Sequence, residues 1–155
     1  MIKKQDLVGA WQLESWTIGY SNRDDFSYPF GENPQGLLMY SDDGWMSAAI
    51  NRADRGRFPE GTSPRSVSAD ALAEAYNSYF HYSGRYRVID GDVVHYVAQS
   101  LNLNFPGTEQ LRHAELDGHT LVLSGKDQTG DVTRFHSLVW HRVPPEEEHL
   151  VIDGQ

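Results

Sequence analysis

The sequence predicts an all-β domain: an eight-stranded antiparallel up-and-down β-barrel with one α-helix packed on it. Three observations carry this. Short runs of alternating apolar and polar residues follow one another along the chain, the period of a half-buried strand. Consecutive runs are joined by tight turns, Asp90-Gly91, Asp117-Gly118 and the longer Ser41-Asp42-Asp43-Gly44, where glycine supplies the positive φ that a hairpin needs. Only one segment has a helical period. Strict hairpin succession favours a barrel over a Greek-key sandwich, which needs long crossovers, although an open sheet or sandwich stays the competing architecture. About eight antiparallel strands close around room for one small ligand.

The elements follow in order. Leu7 to Tyr20 reads as a long first strand, with Trp11, Leu13, Ser15 and Thr17 on one face and Gln12, Glu14, Trp16 and Ile18 on the other. Ser21 to Gln35 reads as a long loop whose Phe26, Tyr28, Pro29 and Phe30 fold over something; loops of that length are often functional. Gly36–Tyr40 and Trp45–Ile50 make a hairpin, and Asn51–Pro64 a polar loop with Arg52, Arg55 and Arg57. Ser68 is the expected N-cap of the helix. Its stripe of Leu72, Ala75, Tyr76, Tyr79 and Phe80 should lie on the sheet and end before Ser83-Gly84.

Tyr82–Ile89 and Asp92–Ser100 form the next hairpin. A two-residue turn sets Ile89 opposite Asp92, Val88 opposite Val93, Arg87 opposite Val94 and Tyr86 opposite His95. Gly84, Tyr86, Val88, Val93, His95, Val97 and Gln99 then share the inward face. In the following hairpin, Gln110, Arg112, Ala114, Leu116, Leu121 and Leu123 face inward, and Glu109, His113 and Glu115 outward. Gly125–Asp131 reads as a polar turn and Val132–Val143 as the last strand, stopped by Pro144-Pro145. The division is therefore a barrel domain over 1–143 and an acidic C-terminal tail over 144–155.

The 155 residues suit one domain. A formal charge of −9 without a basic cluster argues against nucleic acid and anionic membrane surfaces. No apolar run approaches the ~20 residues of a membrane span. The count of 0 cysteines excludes disulfides and thiolate chemistry. With the lack of a signal-like apolar start, this gives a cytoplasmic expectation.

Gly9-Ala10-Trp11 opening the first strand resembles the G-x-W motif of lipocalins and their calycin relatives. More extended similarity lies in Tyr28-Pro29-Phe30-Gly31, Gly36-Leu37-Leu38-Met39-Tyr40, Gly44-Trp45-Met46-Ser47-Ala48, Gly84-Arg85-Tyr86, Val93-Val94-His95 and Gly107-Thr108-Glu109-Gln110-Leu111-Arg112. From about Leu7 to Val143 the chain resembles the microbial lipocalin-like domain family. The resemblance implies an eight-stranded barrel around a hydrophobic cavity. It also implies that Arg142 packs across Trp11 and closes the barrel base. Some similar barrels occur in polyketide and other secondary-metabolite pathways, implicated in cyclisation, isomerisation or dehydration. A fold of this kind hosts many functions, so function has to be argued from the site.

The inward face of the two central hairpins supplies that site. His95, Tyr86 and Arg112 are the candidate catalytic residues. Near neutral pH an imidazole can exchange a proton. A neighbouring phenol can donate a hydrogen bond, and an inward arginine can hold a carboxylate, phenolate or enolate oxygen. Gln110, Gln99, Asn104, Tyr40, Trp45 and Tyr82 are the candidate ligand-binding residues, with Asn102 beside Asn104 at one rim. Three readings compete: a satisfied polar network that only fixes register, a ligand site without chemistry, and proton transfer next to a carbonyl. The expected function is binding of a small hydrophobic molecule, aromatic or polyketide-like. The alternatives are a cofactor-free isomerase, cyclase or dehydratase using the inward set, and a structural or oligomerisation module with a filled barrel. A homodimer stays open. No metal site is expected, since H-x-H and H-E-x-x-H spacings are missing. Haem on His95 has no specific support, and no cofactor is expected. The Arg52/Arg55/Arg57 loop reads as a solvated face before it reads as an anion clamp.

Overall fold

The computed structural model describes residues 1–145; of the acidic tail only Pro144 and Pro145 fall within it. The order is α1 (Lys4–Leu7), β1 (Gly9–Tyr20), β2 (Arg23–Ser27), β3 (Gln35–Tyr40), β4 (Trp45–Asn51), α2 (Ala69–Asn77), β5 (Tyr79–Ile89), β6 (Asp92–Ser100), β7 (Glu109–Asp117), β8 (Thr120–Thr129) and β9 (Val132–Arg142). β1 and β3 to β9 pair in sequence, and β9 returns to β1, so eight antiparallel strands close into a barrel. β2 stands outside the ring and pairs only with the end of β1. The hairpin register predicted around Asp90-Gly91 is the one observed. In the next hairpin the turn falls at Gly118-His119 instead of Asp117-Gly118, so Asp117 pairs with Thr120 and Leu116 with Leu121; the pairing moves by two residues and the inward face stays as predicted.

The barrel base is a plug. Trp11 is fully buried, its indole N–H donates to the Leu7 carbonyl at 2.8 Å, and the Arg142 guanidinium lies 4.1 Å over its ring. Arg142 also donates to the carbonyls of Val8 and Asp6, tying β9 to α1. α1 was not visible as a helix in the sequence: one turn is too short to show a period. Above the plug, Leu13, Leu38, Val93, Leu121 and Trp140 form the buried layer.

Four other local expectations are corrected. The long loop contains β2, which continues β1 through a tight turn; Phe26 and Tyr28 stay exposed while Phe30 packs edge-on against Trp16 at 5.1 Å. In β1 the alternation breaks at Glu14, where the pairing with β9 slips by one residue. Trp16 and Ile18 therefore turn inward after Trp11 and Leu13 have done so, an effect of a β-bulge. The segment expected as a polar turn is mostly strand: β8 runs on to Thr129, and Gly130-Asp131 make the turn. Finally, Ser68 caps α2 as expected, its hydroxyl accepting from the Ala71 N–H, but the apolar stripe is not buried. Leu72 and Tyr76 are 41% and 49% exposed. Tyr79 and Phe80 leave the stripe to pair with Asn51 and Ile50 in the sheet, where aromatic residues are favoured. α2 is held by its end instead: Arg55 donates to the Ala75 carbonyl and the Ser78 hydroxyl, and the Tyr76 hydroxyl donates to the Leu101 carbonyl.

Candidate functional site

Inside the barrel lies a cavity of about 400 Å³, walled by apolar residues such as Leu38, Ile50, Phe80, Phe105, Leu123 and Leu138. The barrel is therefore not filled. Small-molecule sites have this character: mostly apolar walls with a few placed polar groups. Here the polar groups form two sets.

The inner set is centred on His95, on β6, which is 1% exposed. Its Nε2 is 2.7 Å from the Tyr40 hydroxyl on β3, and its Nδ1 is 2.6 Å from the Tyr82 hydroxyl on β5. Burial, with a smaller contribution from the Arg112 cation, lowers the His95 pKa to about 3. The ring is neutral in neutral solution, so one nitrogen donates and the other accepts. Burial raises the Tyr40 pKa well above its ordinary value and raises that of Tyr82, so both phenols are protonated. Tyr82 and His95 line the cavity; Tyr40 sits behind them. Arg112, on β7, enters the cavity beside Tyr82, its guanidinium close enough to oppose the rise in the Tyr82 pKa. Its side chain crosses Gly125, where a Cβ would come within 2.8 Å of Nη1. Among the described residues Arg112 has no carboxylate partner; it donates to the Leu111 carbonyl, and it also acts through hydrogen bonding and charge on the Tyr82 oxygen.

The outer set was missed in the sequence because β8 was cut short. Continuing the β8–β9 pairing sets Gly125 opposite His136 and Asp127 opposite Arg134. All four border the cavity, as does Trp16. Arg134 grips Asp127 with two bonds of 2.7 Å. The Trp16 indole N–H donates to His136 Nδ1 at 3.1 Å, and His136 Nε2 faces Asp127 Oδ2 at 2.9 Å. An indole N–H only donates. His136 Nδ1 is thus the acceptor, and Nε2 carries the proton given to Asp127. Burial lowers the His136 pKa despite the neighbouring carboxylate. The bonds from Arg134, then those from His136, hold the Asp127 pKa below its ordinary value. The alternation Arg134, His136, Leu138, Trp140 was the signal that could have revealed this face.

A model of the lipocalin-like domain matches residues 8–143. The chain belongs to the lipocalin-like domain family. No curated protein matches its sequence. Among solved structures it is similar to a crystal structure of a mutant of the fluorescent protein UnaG, at 14% identity and a TM-score of 0.38, covering 90% of this chain and 97% of that one.

In this lipocalin-like barrel the predicted site residues separate. His95, Tyr82, Arg112 and Gln110 border the cavity, and Tyr40 backs it. Tyr86 faces inward, as its register requires, but lies below the cavity. Its hydroxyl donates to the Ser41 carbonyl at 2.7 Å, and its ring packs on Tyr40 at 4.7 Å. Gln99 points outward, because a bulge between its strand and Ser83/Gly84 pairs it with Ser83. Trp45 also points outward, 44% exposed, under the Arg85 guanidinium at 4.2 Å. Asn104 is exposed; its neighbour Asn102 reaches the cavity instead and accepts from the Asn104 N–H. Both nitrogens of His95 are engaged by phenols, so neither meets a ligand directly. Tyr82 is the group that does. The arrangement can hold an oxygen between the Tyr82 hydroxyl and Arg112, with aromatic wall on either side from Phe80 and Phe105.

Proposed function

We propose that the barrel binds a small, largely apolar molecule, aromatic or polyketide-like, and holds its acidic oxygen between Arg112 and the Tyr82 hydroxyl. The observation that carries this is Arg112: a guanidinium in an apolar cavity that no carboxylate among the described residues neutralises. A cation left this way favours an anionic partner, and a charge-assisted hydrogen bond contributes about 1.5–3 kcal/mol. The test is calorimetric titration with 2-naphthoate and with its neutral counterpart 2-naphthamide. Arg112→Met should weaken naphthoate binding about 10- to 100-fold and leave naphthamide within a few-fold. Equal loss for both compounds, or no binding of either by the unaltered protein, would reject the reading.

Proton transfer on the bound molecule is the second reading, and one observation favours it. Tyr82 is backed by an imidazole and flanked by a cation, the surroundings in which a phenol can protonate a developing enolate. On this reading the residue that touches substrate is Tyr82, and His95 positions it.

A further inference from the structure

The Tyr40 hydroxyl is buried, and its one hydrogen-bond partner among the described residues is His95 Nε2. That single fact sets the direction of every bond in the inner set. If His95 Nε2 donated, the Tyr40 oxygen would accept and its own O–H would have no acceptor. A buried, unpaired donor of this kind disfavours that arrangement by roughly tenfold to a hundredfold in population. Tyr40 therefore donates to Nε2. His95 then carries its proton on Nδ1 and donates it to the Tyr82 oxygen. The Tyr82 O–H is left over, and the free direction is the cavity.

We propose that Tyr40, which the ligand does not touch, fixes the polarity of the ligand site: the Tyr40–His95–Tyr82 chain runs one way and presents a donor to the cavity. Arg112 is donor-only as well. The inner end thus accepts a carboxylate, phenolate, enolate or carbonyl oxygen and rejects alcohols and amines that need an acceptor. Tyr40 is a positioning and specificity residue, held in place by Tyr86 packed edge-on against its ring. The charged groups of the outer set, Asp127 and Arg134, neutralise one another and leave this polarity unopposed. The inference rests on the reading that a ligand oxygen sits at Arg112 and Tyr82.

Two measurements on the full chain test it. In protein labelled with nitrogen-15 histidine, long-range proton–nitrogen NMR should show His95 protonated at Nδ1 and bare at Nε2, with the ring assigned by its loss in His95→Gln. The opposite tautomer would overturn the proposal, whether or not any variant folds. The second uses 7-hydroxycoumarin, whose phenol and phenolate absorb at different wavelengths. Bound to the unaltered protein, its titration midpoint should fall by about one pH unit or more, a tenfold preference for phenolate. Tyr40→Phe should lose at least half of that fall while Arg112 remains. An equal fall in both proteins would overturn the role of Tyr40 and leave the ligand reading standing. No binding of 7-hydroxycoumarin or of naphthoate would overturn both.

Discussion

His95 shows how a residue readable from the sequence can change its role once its partners are known. Its strand, its register and its inward direction all follow from Asp90-Gly91. Its bonds do not: Tyr40 lies 55 residues away and Tyr82 13, on two different strands. A base expected to face the ligand is enclosed by two phenols instead. This has a measurable cost in acid. The folded ring takes up a proton only near pH 3, whereas the unfolded ring does so near its ordinary value of 6.5. Between those values the unfolded state binds more protons, so stability is full above 6.5 and declines as the pH drops toward 3. The decline is about 1.4 kcal/mol per pH unit from this group. Urea unfolding between about pH 4 and 6 should show this slope in the unaltered protein and a shallower one in His95→Gln. The same slope in both would place the acid sensitivity elsewhere. Gln99 failed at this scale for a different reason, since a face assigned by counting is only as good as the unbroken ladder beneath it. Trp45 lies on an unbroken ladder, where plain alternation gives the inward face to Met46, Ala48 and Ile50 and leaves the indole outside.

Bulges account for two of the things the elements concealed, the inward turn of Trp16 and the outward turn of Gln99. A strand read as strict alternation changes face wherever one extra residue enters. β1 does so at Glu14, and β6 does so at Ala98, the residue skipped between Val97 and Gln99 in the pairing with β5. Neither position carries a glycine or proline that would announce it. The partner strand does carry a mark, since a Cβ on Gly84 would lie 1.9 Å from the Tyr96 carbonyl oxygen. Gly84→Ala should therefore displace the β5–β6 backbone and cost about 2–4 kcal/mol, read as a lower urea midpoint. An unchanged midpoint would mean that the bulge can relax. The glycine was legible in the sequence, but its crowding against a bulge was not. α2 failed in the opposite direction. Its spacing was helical, yet the sheet claimed Tyr79 and Phe80 and left Leu72 and Tyr76 exposed.

At the scale of the whole molecule the reading from sequence was nearly complete. Hairpin succession gave the strand order, and the G-x-W resemblance placed Trp11 beneath Arg142. Closure is what makes the cavity, because β9 must reach β1 for the strands that carry the two polar sets to enclose it. Arg142 secures that closure through one ring face and two carbonyls. Arg142→Met keeps the length of the side chain and removes its donors. It should cost about 2–4 kcal/mol, a Tm lower by roughly 5–15 °C in scanning calorimetry. A Tm within a degree or two of the original would show that the plug alone holds the base.

Closure also disposes of a hazard. A ring of strands has no end, whereas an open sheet offers its last strand as a template for another chain. This barrel keeps one such end, because β2 pairs with β1 on one side and, among the described residues, with no strand on the other. The exposed run there is Arg23-Asp24-Asp25-Phe26, with three charged side chains beside one exposed aromatic ring in a strand of only five residues. Drawing those charges out of water against a second chain is costly, and the short length limits what any pairing could gain. The protein's resistance to self-templated aggregation at this edge thus rests on three side chains that are not remote from the cavity, since Arg23 lies 3.8 Å over the Tyr20 ring and Tyr20 pairs with the cavity-lining Arg134.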